Sequence, residues 1–582
     1  MKKTFISGYI QRMLPTIIMS QIVMTICTVI DTALSGQFLG AEAVAAEGMV
    51  TPVALVVLAV AVVMSAGNSI ICSNASGKGD TEEINQVFST TLTVSLAISI
   101  VCTLLILMFA STICQALGLT PGTGLFSSTL DYMLGYVPMM PILTVITTLP
   151  AILQIEGDRQ TNVVAVSLVF VLDIVFDLLN LFVFHGGVLG MALATTLSGY
   201  VAGTVMLLCF FGKKRTARFS LRLVKLGRVG EIMSYGTPAF VNSMCLGLTA
   251  AALNVAFLQY GSEPYVAAFT IVAKVGEILL CFGNGMGDMT AMVTGIANGE
   301  EDRDGLKEII AVMCRKAIMI NAVLIVLCWL IGDLAVRLFT DDTIIIALGT
   351  FGLRIFALQF IFRGLVLCYV GYLRGLKRFM MGNAILIVMA ANAALFAHIA
   401  PEVMGVEAVW YSYLVSVACA LAFVILLVGF SMKRNPFSLD GLILQPDSYG
   451  LPAENYLEWE IADIPQLCEC CKTAEEFVKE HGGNRQQAFR LSLFMEEMGK
   501  NVLDWSFGDG KSHRLMLKVM FSNGEFVLRI RDDGAQFDPK EYYSLHKSDK
   551  PDEKIGIRLV LGMASEVTYL NTMNLNNLLL KV

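Results

Sequence analysis

The chain has 582 residues, 55% of them hydrophobic and only 15% charged, and its mean hydropathy of +0.68 excludes a purely soluble protein. The charge is divided: residues 1–436 carry 25 basic and 25 acidic side chains, whereas 437–582 carry 16 basic and 23 acidic ones, so a neutral membrane part precedes an acidic soluble domain. Neither part offers a broad basic surface, which argues against nucleic acid as a partner.

Lys2 and Lys3 open the chain, but Arg12 and Pro15 interrupt the apolar run behind them and no small-residue cleavage site follows, so the first segment is expected to be a retained span. A helix crossing hydrocarbon needs about 20 apolar residues, because its backbone must be hydrogen-bonded internally. Twelve segments meet this need, near 10–36, 44–74, 86–112, 128–154, 161–184, 188–212, 231–260, 265–295, 309–335, 344–373, 379–400 and 406–431. Alternate connections hold Lys2, Lys3, Lys78, Arg159, the basic run 213–228, Arg303, Lys307, Arg374, Lys377, Arg378, Lys433 and Arg434; the others hold essentially Arg337 alone. The positive-inside rule then predicts a multi-pass protein of the cytoplasmic membrane with both termini cytoplasmic and the lipid bilayer as its first partner.

The two halves repeat. Pro15 precedes Asp31 by the spacing that separates Pro238 from Asn254, Ala45-Ala46 recur as Ala267-Ala268, Gly67 and Gly79 as Gly287 and Gly299, and Gly157 answers Gly375. Six spans per half make the copies parallel, related by an axis along the membrane normal, with a substrate path between them. The expected organisation is a six-helix lobe over 1–212, a basic linker over 213–230, a second six-helix lobe over 231–434, a linker over 435–454 and a soluble domain over 455–582.

Charges at depth in a bilayer are costly and persist where they face water or a partner. In the first half they are Asp31 in span 1 and Asp173 with Asp177 in span 5, the last two four residues apart on one helix face. Two ionised carboxylates there repel each other, the condition that favours a shared proton or a bound cation. Thr195 in span 6 falls at similar depth. The second half differs: Lys274 and Glu277 are side by side on span 8 as an internal ion pair or a cargo contact, and Arg363 on span 10 either snorkels or pairs with Asp288. The fourteen cysteines are read as free, most of them inside apolar runs, and the Cys468, Cys470, Cys471 cluster lacks a nearby fourth metal ligand.

After residue 434 the periodicity changes. Residues 456–462 read as a strand, 466–481 and 485–506 as amphipathic helices, 514–521 and 525–534 as a strand pair turning at Ser522-Asn523-Gly524, 556–565 as a helix and 574–582 as a last strand, which together predict an α/β sandwich. Glu497 and Asn501 share one helix face, suited to a hydroxyl or water on the carboxylate and Mg²⁺ on the amide oxygen. No G-x-x-x-x-G-K-[ST] segment occurs, so a P-loop ATP-driven pump has no support.

Pro15 together with the stretch 29–46, "SAGNSIICSNASGKGD" (65–80), "LQIEGDRQTN" (153–162) and "LDIVFDLLNLFVFHGGVLGMALATTLSG" (172–199) resemble the multidrug and toxic compound extrusion family, MATE, over about 10–435. The resemblance implies an all-α polytopic protein of two pseudo-symmetric lobes working by alternating access, exporting amphipathic or cationic small molecules against inward H⁺ or Na⁺. It makes Asp31 the span-1 acid, Asp177 the span-5 acid and Thr195 the hydroxyl beside the cation site; Asp173 stands where the family usually has Asn. The 455–582 domain resembles the GHKL, or histidine-kinase-type, ATPases and most closely their sigma-factor-regulating serine kinase branch. That likeness implies ATP with Mg²⁺, Glu497 as base, Asn501 as Mg²⁺ ligand, Asp532 as acceptor for the adenine amino group, Gly534 and Gly556 as nucleotide-loop glycines, and a cytoplasmic regulatory protein as partner. Gln536 and Lys554 depart from its glycines. Two other readings stay open: a membrane sensor whose transporter-like body serves a kinase-like tail, and a lipid-linked-precursor flippase, against which the acidic span-5 pair counts.

Overall fold

The computed structural model describes residues 5–212, 215–431, 433–446, 448–507, 513–522, 524–545 and 555–582. The first lobe is built from α1 (Phe5–Leu34), α2 (Ala41–Lys78), α3 (Thr81–Met108), α4 (Ala110–Ala116), α5 (Gly124–Tyr136), α6 (Met140–Glu156), α7 (Arg159–Leu179) and α8 (Gly187–Phe211). The second comprises α9 (Val229–Tyr260), α10 (Glu263–Gly299), α11 (Arg303–Arg337), α12 (Thr343–Leu358), α13 (Phe360–Gly375), α14 (Phe379–Met404) and α15 (Ser412–Leu426). Among the described residues eleven helices are long and apolar enough to span a membrane, and α12 with α13 make a twelfth bent by 44° at Gln359. The sequence predicts span 10 as one straight segment; neither Gly nor Pro marks its break.

Short connections are fixed by the same local chemistry in both lobes. Gly79 and Gly157 adopt left-handed backbone at the ends of α2 and α6, and Asp80 and Asp158 then cap α3 and α7 by accepting from Glu83 N and Thr161 N. In the second lobe Glu301 and Lys377 take the left-handed position instead of glycine, and Asp302 caps α11. The structural repeat therefore pairs Gly79 with Glu301 and Gly77 with Gly299, two residues away from the pairing of Gly79 with Gly299 read in the sequence.

This pairing has a packing consequence. A Cβ on Gly77 would sit 2.0 Å from Ile296 O, and one on Gly299 would sit 2.0 Å from Asn74 O. The two lobes thus touch backbone to backbone where α2 and α10 end, a close approach that only glycine permits. The connections at 79–80, 157–158, 215–228, 300–302 and 376–378 and the C-terminal domain gather at this same end, hereafter the basic face. Lys2, Lys3, Lys213 and Lys214 of the predicted basic set lie outside the described residues.

The C-terminal domain is a five-stranded antiparallel sheet, β1 (Tyr456–Ile461), β2 (Leu515–Ser522), β3 (Glu525–Asp532), β4 (Glu566–Thr572) and β5 (Leu575–Lys581), in the order β1-β2-β3-β5-β4. Following the short α16 (Leu439–Leu442), α17 (Ile464–Glu480) and α18 (Arg485–Asn501) cover one face. The small α19 (Pro539–Leu545) precedes α20 (Ile555–Met563), which completes that layer. Leu515, Leu517, Val519, Leu528, Ile530, Leu578 and Leu580 alternate into this core, with the period of 2 that points successive side chains to opposite faces of a sheet. The sequence predicts a single last strand; the structure has a hairpin, β4 to β5, turning on Met573 and Asn574. Both turn residues have positive φ without a glycine, which is why the turn was not legible. Asn523 and Lys554 lie outside the described residues.

Candidate transport site

Asp31 on α1 and Asp173 with Asp177 on α7 converge so that one carboxylate oxygen from each lies within 4.8 Å of the others. Asp173 and Asp177 are buried. Asp173 accepts from Ser198 Oγ at 3.0 Å, and the Thr195 hydroxyl also reaches it, so α8 supplies both of its hydroxyl partners. No donor among the described residues reaches either oxygen of Asp177 or Oδ1 of Asp31. Three converging carboxylates, two of them with unsatisfied oxygens, repel one another in a low-dielectric site, and a proton or a small hard cation relieves that repulsion. The residues present fit either ion. The four sequence candidates, Asp31, Asp173, Asp177 and Thr195, are therefore brought together.

Sequence reasoning missed Glu47. It sits on α2, accepts from Thr32 Oγ1 at 2.8 Å, and its Oε2 is buried without a partner among the described residues. Its charge acts on Asp177, which makes it a fourth acid of the same neighbourhood. The signal was an acid inside an apolar run, close enough to the predicted span end to pass as a boundary residue.

The loop after α7 is also built for this site. Asn180 Oδ1 accepts from Gly186 N at 3.0 Å and its Nδ2 donates to Gly187 O at 3.1 Å. A Cβ on Gly190 would fall 1.8 Å from that Asn180 oxygen, so glycine at 190 lets the amide lie flat and set α8 against α7.

The acids stand next to a cavity of about 690 Å³ between the lobes. On α1 it is lined by Gln21, Thr25 and Thr28, one turn short of Asp31; on α7 Asn162, Val166 and Val169 continue directly into Asp173 and Asp177. Its far wall is α10, with Glu277, Asn284 and Asp288. Lys274 Nζ lies 3.7 Å from Glu277, and both side chains are half exposed, so the pair is open to solvent and weak. Asp288 bonds Arg374 at 2.9 Å and Gln21 at 3.1 Å, a bridge between the lobes. Arg363 does not take Asp288, as one sequence reading had it: the guanidinium is buried within the second lobe, with Met389 Sδ at 3.9 Å, because Arg374 already holds the carboxylate.

In the C-terminal domain the sequence candidates are placed as follows. Glu497 and Asn501 occupy the last turn of α18, where Asn501 Nδ2 donates to Glu497 O at 2.8 Å and leaves the amide oxygen as its second polar group. Glu497 packs against the start of α20 so closely that a Cβ on Gly556 would meet its carboxylate at 1.7 Å. Asp532 ends β3 on the helix-covered side; its Oδ1 accepts from Asn576 Nδ2 at 2.8 Å and Gly534 N at 3.0 Å, which keeps Oδ2 for an amino group. Burial pushes the Asp532 carboxyl up to about 6. These donors and acceptors fit a purine amino group, at Asp532, and a Mg²⁺, at Asn501.

The MatE family model matches residues 16–179 and again 238–398, one match per lobe, and the chain belongs to that family of multi-pass membrane transporters. Among curated proteins it is 24% identical to the multidrug export protein MepA of Staphylococcus saprophyticus, over 66% of this chain and 85% of that one. It is likewise 24% identical to MepA of Staphylococcus aureus over 68% and 89%. Among solved structures, the outward-facing conformation of a multidrug resistance MATE family transporter superposes with a TM-score of 0.67 at 23% identity, covering 75% of this chain and 96% of that one. MATE in the straight conformation gives the same score, identity and coverage.

Proposed function

We propose that the protein is a secondary exporter of cationic or amphipathic small molecules across the cytoplasmic membrane, driven by inward H⁺ or Na⁺, with a nucleotide-binding regulatory domain at its cytoplasmic face. The observation that carries the reading is the cluster of Asp31, Asp173 and Asp177, three acids on helices that also line the interlobe cavity. Filling the cluster with a proton or cation removes carboxylate repulsion between α1 and α7. Since Pro15 breaks the hydrogen-bond ladder of α1, that helix can bend when the repulsion is lost, and the cavity wall that holds cargo changes shape with it. Ion and cargo then compete for the same pair of helices. The multidrug-export names of the relatives support small-molecule cargo, and the half-exposed Glu277 carboxylate, only weakly paired with Lys274, offers a cationic one a contact in the cavity wall.

The gathering of the basic connections at the C-terminal-domain end supports placing that face in the cytoplasm. The arrangement is then closed at its cytoplasmic mouth. For the domain itself, the contact of Glu497 with Gly556 and the buried acceptor Asp532 support a GHKL-like nucleotide site; ATP with Mg²⁺ would bind there to regulate, through phosphates placed by α20 and a metal held by Asn501.

The test is efflux of a fluorescent cationic dye from proteoliposomes under imposed pH or Na⁺ gradients. Gradient-driven flux that is lost in Asp31→Asn and Asp177→Asn is the expected result. Absence of flux for every dye, with phosphorylation of a partner protein that depends on Glu497, would overturn it in favour of a sensor.

A further inference from the structure

We infer that the C-terminal domain is a clamp: docked as it is here, it ties the two lobes together at the cytoplasmic mouth, and inward opening requires its release. The inference goes beyond the proposed transport activity but rests on alternating access.

The side of the sheet not covered by helices is seated on both lobes at once. On the first lobe, Met573 N donates to Ile155 O at 2.8 Å and Asn574 N to Glu156 O at 2.9 Å, so the β4–β5 turn continues the backbone hydrogen bonding where α6 ends. Thr572 and Ser76 share a hydroxyl bond of 2.9 Å, and Leu579, Thr568 and Leu570 pack over Gly79. Met573 and Leu575 are buried in the hydrophobic core of the transporter rather than in that of their own domain. On the second lobe, Glu300 pairs with Arg529 at 3.4 Å and with Arg531. All three side chains are less than a tenth exposed.

The two anchor points flank the lobe seam. Ser76 precedes Gly77 and Glu300 follows Gly299, the pair of glycines whose backbones touch. Their partners sit on β3 and β4, separated in the sheet only by β5. Neighbouring strands are held about 4.8 Å apart by their ladders, so one rigid element bridges Ser76 and Glu300 at a fixed span. If the lobes part here, the sheet cannot follow both. Either the Glu300 cluster breaks, stranding buried charges without partners, or the β4–β5 turn leaves α6.

The connecting segment reinforces the second-lobe side. Tyr372 donates to Ile443 O at 2.8 Å, Arg378 to Leu444 O at 2.8 Å and Gln445 to Asn298 at 3.0 Å. The domain is thereby attached to the second lobe twice, by chain and by ion pair, and to the first lobe by β4, β5 and the turn between them. The turn contact is then the one that a regulated release would break.

The experiment uses the full chain in lipid nanodiscs, with spin labels carried on non-natural amino acids at Glu82 and Asp304, exposed positions at the cytoplasmic starts of α3 and α11. Pulsed electron resonance reads the distance between them. Glu300→Gln and, separately, Arg529→Gln with Arg531→Gln should raise the longer-distance population at least about fivefold, the shift expected when one state loses a coupling of this kind. Glu300→Arg combined with Arg531→Glu should restore the short distance. Identical distance distributions in the parent chain and both kinds of variant, each eluting as folded protein, would overturn the clamp. Dye flux in the parent chain is measured alongside: its absence counts against the transport reading, whereas normal flux with unchanged distances counts against the clamp alone.

Discussion

Asn298 and Asn74 meet across the lobe seam, Nδ2 of Asn298 donating to Oδ1 of Asn74 at 2.7 Å, while Nδ2 of Asn74 reaches Gly375 O at 3.0 Å. Asn74 is buried; its Nδ2 also donates to Ile70 O within α2, but its Oδ1 takes its bond from Asn298, which holds only while α2 stays against α10. Closure of this mouth is therefore specified by a polar contact as well as by the glycine crossing.

Gly299→Val should stop that closure. Its Cβ would collide with Asn74 O, and relief needs the helices to separate by an ångström or more. The expected result is a detergent-solubilised protein less stable by about 1–3 kcal/mol, as for other overpacked contacts, and unable to export dye. A thermal unfolding curve unchanged from that of the parent chain would contradict the crossing.

The acids should not be equivalent. Asp177 has both oxygens unsatisfied, whereas Asp173 is held by Ser198 and Thr195, so Asp177→Asn is expected to abolish coupled flux. Asp173→Asn should retain part of it, since its amide oxygen still accepts from those hydroxyls. Counting ions per cargo in proteoliposomes decides the matter, and equal loss in the two variants would show that the cluster works only as a unit.

Glu277→Gln should weaken cargo rather than coupling. The carboxylate is half exposed in the cavity wall, apart from the three acids, and its loss should raise the KM for a cationic dye roughly tenfold, or about 1.4 kcal/mol. Coupling should persist, read as dye flux at saturation still responding to the gradient. An unchanged KM would remove Glu277 from the cargo path.

Asp532 gives the domain a pH signature. Its folded carboxyl titrates near 6, above the unfolded value, so the fold binds the extra proton between about pH 4 and 6, and stability from this group falls as pH rises through that window. Asp532→Asn should flatten that slope. If the ionised carboxylate is what accepts a purine amino group, Mg-ATP affinity should drop as pH is lowered through about 6, measured by calorimetry on the full chain. Affinity independent of pH there would place the nucleotide elsewhere.

Much of this was written in the sequence because a bilayer enforces it. Backbone satisfaction demands the long apolar segments, and buried charge has so few tolerable places that Asp31, Asp173 and Asp177 stood out before any fold was known. What depended on competition between distant groups did not stand out. Arg363 and Arg374 lie on the same helix, both far from Asp288 in the chain, and only the packing of α10 on α13 decides that Arg374 takes it. The bend at Gln359 has no proline to announce it. Arg529 and Arg531 alternate with Leu528 and Ile530 on β3, a pattern that reads as a solvent-facing edge until Glu300 is seen against it.

The Glu156–Gly157 corner joins three systems that the chain keeps far apart. The Glu156 carboxylate holds Arg215, Thr216 N and Ala217 N of the interlobe linker, while its carbonyl holds the β4–β5 turn through Asn574. Two residues later α7 begins, and it runs unbroken to Asp173, 14 residues and about 21 Å away at 1.5 Å per residue. An unkinked helix of that length behaves as a push-rod. On the proposed transport reading, a displacement of the Asn574 turn would be carried along this rod to its far end, which gives the C-terminal domain a route to Asp173 and Asp177 that touches neither ion nor cargo.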